Sequence, residues 1–234
     1  MSARGVFVTG TDTGVGKTLV ACALVRALVQ EGLRVAVLKP VASGSLATPE
    51  GLRNEDALAL GACANCGQSY TEINPYCFEP PISPHIAADE AKIKIDIDKI
   101  RGDYDRLADR ADWVVVEGAG GWLAPIGAGH TMADLARALP AKVLLVVGLK
   151  LGCLNHAALT RASIRAAGAP FAGWVASALD PHLLRAPENL KALERSLGEP
   201  ALEHLAYLGD APGAPVLAQA ARQLARTAQA SELP

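Results

Sequence analysis

Residues 5–25 read GVFVTGTDTGVGKTLVACALV, and the whole fold assignment turns on this stretch. Val6-Phe7-Val8 is a short β-branched and aromatic run of strand type. A turn punctuated by Gly10, Gly14 and Gly16 follows, and Lys17-Thr18 opens a helical pattern that runs to about Gln30. A strand that feeds through a glycine turn into a helix aims backbone N–H groups at one point in space, where they can cradle phosphate oxygens. In such a loop the backbone of Gly14, Val15, Gly16 and Leu19 meets the nucleotide. Lys17 reaches the outer phosphates, and the Thr18 hydroxyl ligates Mg²⁺. The spacing departs from the common pattern, because Thr11 stands six residues before the lysine and the first glycine is Gly10. A glycine turn of purely structural purpose leaves Lys17 unexplained, since its charge at a helix start opposes the helix dipole.

Outward from this loop, strand-like runs alternate with helical ones. VAVL at 35–38 completes a β-α-β unit, and further strands are expected at Trp113–Glu117, Val143–Val147, Ala172–Ala176 and Leu205–Leu208. Helices are expected at 54–61, 96–111, 132–138, 155–167, 187–197 and 215–228. The pattern predicts an α/β protein of P-loop NTPase type, three layers α/β/α around a mostly parallel sheet, with residues 1–234 as one domain. Ligands of such sheets gather at the carboxyl ends of the strands. Residues 40–85, rich in proline and glycine, read as an insertion that covers a substrate, and 231–234 as a frayed end.

Bulk properties exclude several functions. A formal net charge of −2 over 234 residues, with scattered basic positions, argues against nucleic acid or an anionic membrane as partner. The opening MSARGVFVTG holds no signal-peptide core, so a cytoplasmic location is expected. Five cysteines, an odd number, are expected to be reduced thiols. Cys63-x-x-Cys66 with Cys77 and His85 suggests zinc only weakly, because the remaining spacing is irregular.

Candidate catalytic residues lie at the expected strand ends. LKPVASGS puts Lys39 at the end of the second strand, beside the crevice of Lys17, where two ammonium groups can neutralise a transferring phosphoryl group. Ser43 follows in a turn-like loop. DWVVVEGAGGW ends a buried-type strand in Glu117 and continues with Gly118, Ala119 and Gly120; a carboxylate there suits a metal. Asp56, in RNEDALAL, stands in the first turn of the 54–61 helix, where Asp is also common for helix-dipole reasons.

The strings VTGTDTGVGKT, LKPVASGS, TPEGLRNEDALAL, NPY, SPHIAA, DWVVVEGAGGW, VVGLKLGCLNHA and AGWVAS together resemble the dethiobiotin synthetase family, from about Val8 to Asp180. The resemblance implies an ATP-dependent C–N-bond-forming cyclo-ligase of biotin biosynthesis. Its substrates would be 7,8-diaminononanoate and CO₂ or bicarbonate, with ATP as co-substrate and Mg²⁺ as cofactor. It also implies roles: Lys17, Lys39 and Thr13 in catalysis, and Thr13, Ser43 and Lys39 against the carbamate or diamine. Thr18, Asp56 and Glu117 would surround Mg²⁺, and Gly118–Gly120, Ser177 and Ala178 would line the nucleotide. Cys153, Leu154 and Asn155, at a helix N-terminus, would bind the distant substrate carboxylate from the partner subunit of a homodimer.

Three positions depart from the family pattern: Gly14 where some relatives have Glu, Ser177 where an Asn of a VAN string reads adenine, and Ala206 in place of the proline of an IPWL string. Serine and alanine discriminate bases poorly, so a triphosphate is better specified than adenine. Two other classes use similar loops. Partitioning and septum-positioning ATPases carry a lysine five residues before the main one, where this chain has Asp12; cobyrinic-acid-type amide synthetases need a glutaminase portion.

Overall fold

The computed structural model describes residues 4–207 and 217–229. Strand β1 (Arg4–Gly10) leads through the glycine turn into helix α1 (Lys17–Gln30), followed by β2 (Val35–Leu38), β3 (Val41–Ala42), β4 (Leu46–Thr48) and β5 (Gly51–Arg53). Then come α2 (Glu55–Cys63), α3 (Tyr70–Ile73), β6 (Tyr76–Cys77), α4 (Pro84–Glu90), α5 (Ile97–Ala108) and β7 (Trp113–Glu117). The rest of the described chain forms β8 (Pro125–Gly127), β9 (His130–Thr131), α6 (Met132–Ala138), β10 (Lys142–Leu149) and α7 (Cys153–Ala166), and finally β11 (Phe171–Ala178), α8 (Ala186–Leu197), β12 (Glu203–Leu205) and α9 (Ala218–Gln229).

Six strands form one sheet in the order β12-β11-β10-β1-β7-β2, every pair parallel. Both faces are buried, as the continuous apolar runs require of a parallel sheet. Val6, Val8, Val37, Val115, Leu144, Val146 and Val175 pack on one side with α1, α2 and α9. Phe7, Leu38, Val116, Leu145 and Trp174 pack on the other with α4, α5, α6, α7 and α8. The expected three-layer α/β/α architecture is therefore the observed one. Strand order matters for the site: β1 lies between β10 and β7, so the loop after β1 opens beside the carboxyl ends of both.

Most expected elements are present with shifted ends. Helix α7 starts at Cys153 rather than Asn155, because Gly152 (φ +93°) caps it in the left-handed region. The last strand ends at Leu205 rather than Leu208. Its position is set by Leu202, whose N–H donates to the Trp174 carbonyl and whose side chain fills the space over Gly173. Leu208 itself, the rest of the string LAYLGDAP (205–212) that follows Ala206 and Tyr207, Pro215 and the 231–234 tail lie outside the described residues. Leu217, Ala221 and Leu224 are buried against α1, where Leu217 N–H donates to the Ala23 carbonyl.

Residues 40–85 hold more regular structure than the single expected helix. Strands β3 and β6 pair in parallel (Val41 with Tyr76, Ala42 with Cys77), and β4–β5 form a hairpin over Pro49-Glu50. Pairings of two or three residues are too short to leave a periodic pattern. Helix α4 did leave a signal, Ser83 followed by Pro84 at the first helical position.

One buried side chain ties this stretch to the sheet. Asn74 Nδ2 donates to the Lys39 carbonyl at 2.7 Å and to the Tyr76 carbonyl at 3.2 Å, while Lys39 N–H donates to the Ile73 carbonyl at 2.7 Å. Asn74→Ala strands the buried Lys39 carbonyl and removes one of the donors to the Tyr76 carbonyl, which the β3–β6 pairing still serves, and urea denaturation should show a loss of about 1–2 kcal/mol. The same variant should retain the sheet, judged by an unchanged far-UV circular dichroism spectrum.

Candidate active site

Register builds the site. Val8 of β1 pairs with Glu117 of β7, and Leu38 of β2 pairs with Val116, so the residues following in register, Lys39 and Glu117, emerge side by side at the carboxyl edge. Lys39 Nζ donates to Glu117 Oε1 at 2.5 Å and to Asp56 Oδ2 at 2.8 Å. Asp56 comes from the first turn of α2, which Asn54 caps by accepting the Ala57 N–H. Thr18, in the first turn of α1, donates its hydroxyl to the same Glu117 Oε1 at 2.8 Å. Four residues far apart in sequence thus meet within hydrogen-bonding reach.

The electrostatics follow from burial. Glu117 is fully buried, and Lys39 and Lys17 are nearly so. Burial, followed by the charge of nearby Lys39, pulls the Lys17 ammonium down to about 8. Burial acts the same way on Lys39 but is outweighed, because the carboxylates of Glu117 and Asp56 hold its pKa above the ordinary value. Asp56 sits below the usual carboxylate range: burial opposes this, and Lys39 overcomes it. Lys17 Nζ donates to the Asp12 carbonyl at 3.0 Å, arching back over the turn.

The glycine turn is built for a close backbone approach. Gly16 caps α1 at φ +90°, and a Cβ there would lie 2.6 Å from Ser177 Oγ. Gly14 also has positive φ (+71°) with open space around it, so the departure from Glu falls where the backbone itself favours glycine.

A cavity of about 700 Å³ opens over these groups, within the range of small-molecule sites. Of the expected residues, Thr13, Gly14, Gly16, Lys17, Thr18, Lys39, Ser43, Asp56, Glu117, Ala119 and Gly120 line it. Others lie elsewhere. Val15 is buried beneath the turn and Leu19 packs into the core on the α1 side; Gly118 rests on the Phe7 ring. Ser177 is buried with its hydroxyl unpartnered, and half-buried Ala178 ends β11. Cys153, Leu154 and Asn155 are not part of this cavity wall: Cys153 is buried, while Leu154 and Asn155 face outward beside Leu151.

Ala42, Asn54, Gly121, Ala124 and the run Pro81–Pro84 also line the cavity and were not anticipated. Nor was the link between Asp12 and Lys150. Asp12 accepts Lys150 Nζ at 3.0 Å and the Thr13 N–H at 2.8 Å, so the turn is tethered to the loop before α7. The strings containing Asp12 and Lys150 were legible, but nothing in them indicated that the two meet.

The donor set suits Mg²⁺. Thr18, Asp56 and Glu117 offer only oxygens, and Glu117 Oε2 is buried without a hydrogen-bond partner, an acceptor with capacity to spare. Zinc is not supported, since no three His, Cys, Asp or Glu side chains cluster as a metal site among the described residues. Cys63 bonds instead to the Ala59 carbonyl, and Cys77 to Ser45 Oγ. His85 Nδ1 is buried and unpartnered, away from the cavity wall.

A parallel sheet, a glycine loop at the switch of strand order, a lysine and a threonine opening the next helix, and a carboxylate on the neighbouring strand define a P-loop nucleoside triphosphatase. A family model described as an AAA domain matches residues 4–218. Solved structures share the fold, among them MinD cell division protein of Aquifex aeolicus (TM-score 0.57, 16% identity, covering 99% of each chain) and a ParA family ATPase of Chlorobium tepidum TLS (TM-score 0.56, 14% identity, covering 97% of this chain and 99% of that one). At such identities they show the fold alone.

Curated relatives are much nearer in sequence. The ATP-dependent dethiobiotin synthetase BioD of Xylella fastidiosa strain M12 is 46% identical over 208 residues, 89% of this chain and 92% of that one. BioD 1 of Salmonella typhi is 47% identical over 88% of this chain and 90% of its own length. BioD of Xanthomonas oryzae pv. oryzae strain PXO99A is 44% identical, covering 92% and 96%. The chain belongs to the ATP-dependent dethiobiotin synthetase family.

Gly16→Ala tests the turn. A left-handed non-glycine residue costs about 1–2 kcal/mol, and the Ser177 contact adds to it. ATP-analogue binding measured by calorimetry should weaken by about tenfold or more. Adding Ser177→Gly should recover part of that loss.

Proposed function

We propose that this protein closes a cyclic urea on 7,8-diaminononanoate at the Lys17–Lys39 crevice, using ATP and CO₂. Family membership makes it an ATP-dependent cyclo-ligase that forms C–N bonds, a dethiobiotin synthetase. The observation carrying the residue roles is the convergence of Lys17, Lys39, Asp56 and Glu117 on one cavity.

One substrate amine takes up CO₂ and loses a proton, giving a carbamate. A carbamate oxygen attacks the γ-phosphorus of ATP, and ADP departs, leaving a carbamic–phosphoric mixed anhydride. The second amine then attacks the carbonyl carbon; its proton is lost, phosphate leaves with the C–O bonding pair, and the five-membered urea is complete. Holding both amines on one chain makes this last step intramolecular, which supplies much of the rate.

Residues divide this work by position. Backbone N–H groups of Gly14, Val15 and Gly16, with Lys17, hold the phosphates, and Leu19 follows in the same first turn. Lys39 faces the carbamate and the transferring phosphoryl group, so both lysines stabilise charge that spreads over phosphate oxygens in the transition state. Thr13 and Ser43, both in the cavity lining, are suited to the carbamate and diamine end. Thr18, Asp56 and Glu117 would hold Mg²⁺, which neutralises the outer phosphates when bound. The Glu117–Gly120 turn would line the nucleotide, with Ser177 and Ala178 behind it. The 40–85 stretch supplies Ala42, Ser43, Asn54, Asp56 and Pro81–Pro84 to the wall, which supports a substrate-covering role within one 1–234 domain.

The protein would act as a homodimer. The exposed N-terminal turn of α7 would offer a helix-end anion seat, through the N–H groups of Leu154 and Asn155, to the substrate carboxylate in the partner's cavity, while the Cys153 N–H is already given to the Lys150 carbonyl and steadies the turn. Neither nucleic acid nor a membrane is needed, and no helix among the described residues is long and apolar enough to cross a membrane. A cytoplasmic location is part of the same proposal.

Phosphate release with Mg-ATP and bicarbonate should depend on added 7,8-diaminononanoate; turnover indifferent to the diamine would sink the synthetase reading. Lys39→Ala should lower kcat by about 100-fold or more while nucleotide affinity largely survives. Equal losses in both would contradict its assignment to the transferring group.

A further inference from the structure

Lys39 is asked to do its chemistry on a substrate while its ammonium is engaged elsewhere. In the structure the ammonium lies between Asp56 and Glu117, two of the three groups that fit Mg²⁺, and its side chain is only 4% exposed. Glu117 Oε1 accepts from both Lys39 and Thr18, so lysine and hydroxyl converge on one carboxylate oxygen of the metal set. A divalent ion drawing on these oxygens would be placed within a few ångströms of a buried ammonium, and in a low-dielectric pocket the repulsion is strong. One cation must yield.

We propose that Lys39 is a displaceable counter-ion of the metal site: it neutralises Asp56 and Glu117 until the metal arrives with a nucleotide, and its release is what turns the ammonium toward the reacting oxygens. This rests on the role of Thr18, Asp56 and Glu117 argued above. Charge balance explains why the exchange needs a nucleotide. Lys17 and Lys39 together match Asp56 and Glu117, so a bare dication would leave two uncompensated positive charges beside three buried groups, Lys17, Lys39 and Glu117. A triphosphate brings the missing negative charge and gives the freed ammonium new acceptors. Metal binding, nucleotide binding and arming of Lys39 then become one coupled event. Metal in turn tightens nucleotide by the same factor as nucleotide tightens metal.

The test uses Mn²⁺ as a paramagnetic probe, with free ion counted by electron paramagnetic resonance, on the full-length wild type and Lys39→Met, with and without ADP. The wild type should bind Mn²⁺ weakly alone and at least tenfold more tightly with ADP. Lys39→Met should bind Mn²⁺ alone about tenfold more tightly than wild type, and ADP should add correspondingly less. Adding Asp56→Asn should abolish the gain, locating it at these carboxylates. Equal affinity of wild type and Lys39→Met for Mn²⁺ alone overturns the proposal.

Movement of the ammonium is read separately, on wild-type protein with ¹⁵N-labelled lysine, where a water-shielded ammonium gives its own ¹H–¹⁵N signal. That signal should shift on adding Mg²⁺ with ADP and hold its position with ADP plus chelator. A signal unmoved by Mg²⁺ with ADP overturns the proposal even if Lys39→Met does not fold. Neither measurement involves the diamine or turnover. A protein that passed both yet released phosphate without the diamine would lose the synthetase reading and keep this one.

Discussion

The buried ion pair between Lys39 and Glu117 is the interaction on which the site rests. It exists because β2 and β7 pair in parallel with Leu38 opposite Val116, so that each strand delivers its first charged residue to the same edge at the same level. Neither charge would be tolerable alone at such depth: an uncompensated partner in a pair of this kind costs about 3–5 kcal/mol. The pair therefore constrains both strand ends, and through Asp56 it also draws α2 onto the sheet. Fold and chemistry meet here, since the groups that make the strand ends compatible are the groups that can meet a phosphate and a metal.

Around that pair the molecule separates rigid from adjustable parts. Thr18, Lys39 and Glu117 stand at the ends of sheet strands or in the first turn of a long helix packed on it, so their positions follow from register and core packing. The facing wall is made of short pieces, the end of β3 with Ser43, the start of α2 with Asn54 and Asp56, and Pro81–Pro84 at the start of α4. Asn74 fastens one end of that wall to the Lys39 backbone. A charged floor set by the sheet, under a wall of short segments seated on the same core, is a sensible division for a site that must admit two substrates and then exclude water.

Much of this was legible in the sequence. Strand and helix order followed from periodicity. Lys17, Thr18, Lys39, Asp56 and Glu117 could be named because each stands at a predicted strand end or helix start, where topology alone brings chemistry together. What escaped had physical reasons. Two-residue strands carry no period, and Pro81, Ile82, Pro84 and Ala124 line the cavity with shapes rather than functional groups. The Asp12–Lys150 contact joins loops after two different strands and depends on β1 lying beside β10, a neighbour relation that local patterns do not encode. Asn74 and Asn54 were passed over for a related reason: their amide nitrogens donate to backbone carbonyls, and a carbonyl awaiting a donor leaves no mark on composition.

Position 177 acquires a different meaning in three dimensions. In the sequence it is a serine where an adenine-reading amide is expected, a matter of specificity. In the structure its hydroxyl lies against the α-carbon of Gly16, with no room between them for even a methyl group. Gly16 and Ser177 therefore form one steric unit, and the size of the residue on β11 sets the height at which the phosphate loop rests. Neither position is free to vary on its own: a bulkier neighbour at 177 must turn away from the loop or lift it. The end of β11 thus serves this chain as a shim, setting the elevation of the loop's last turn above the sheet.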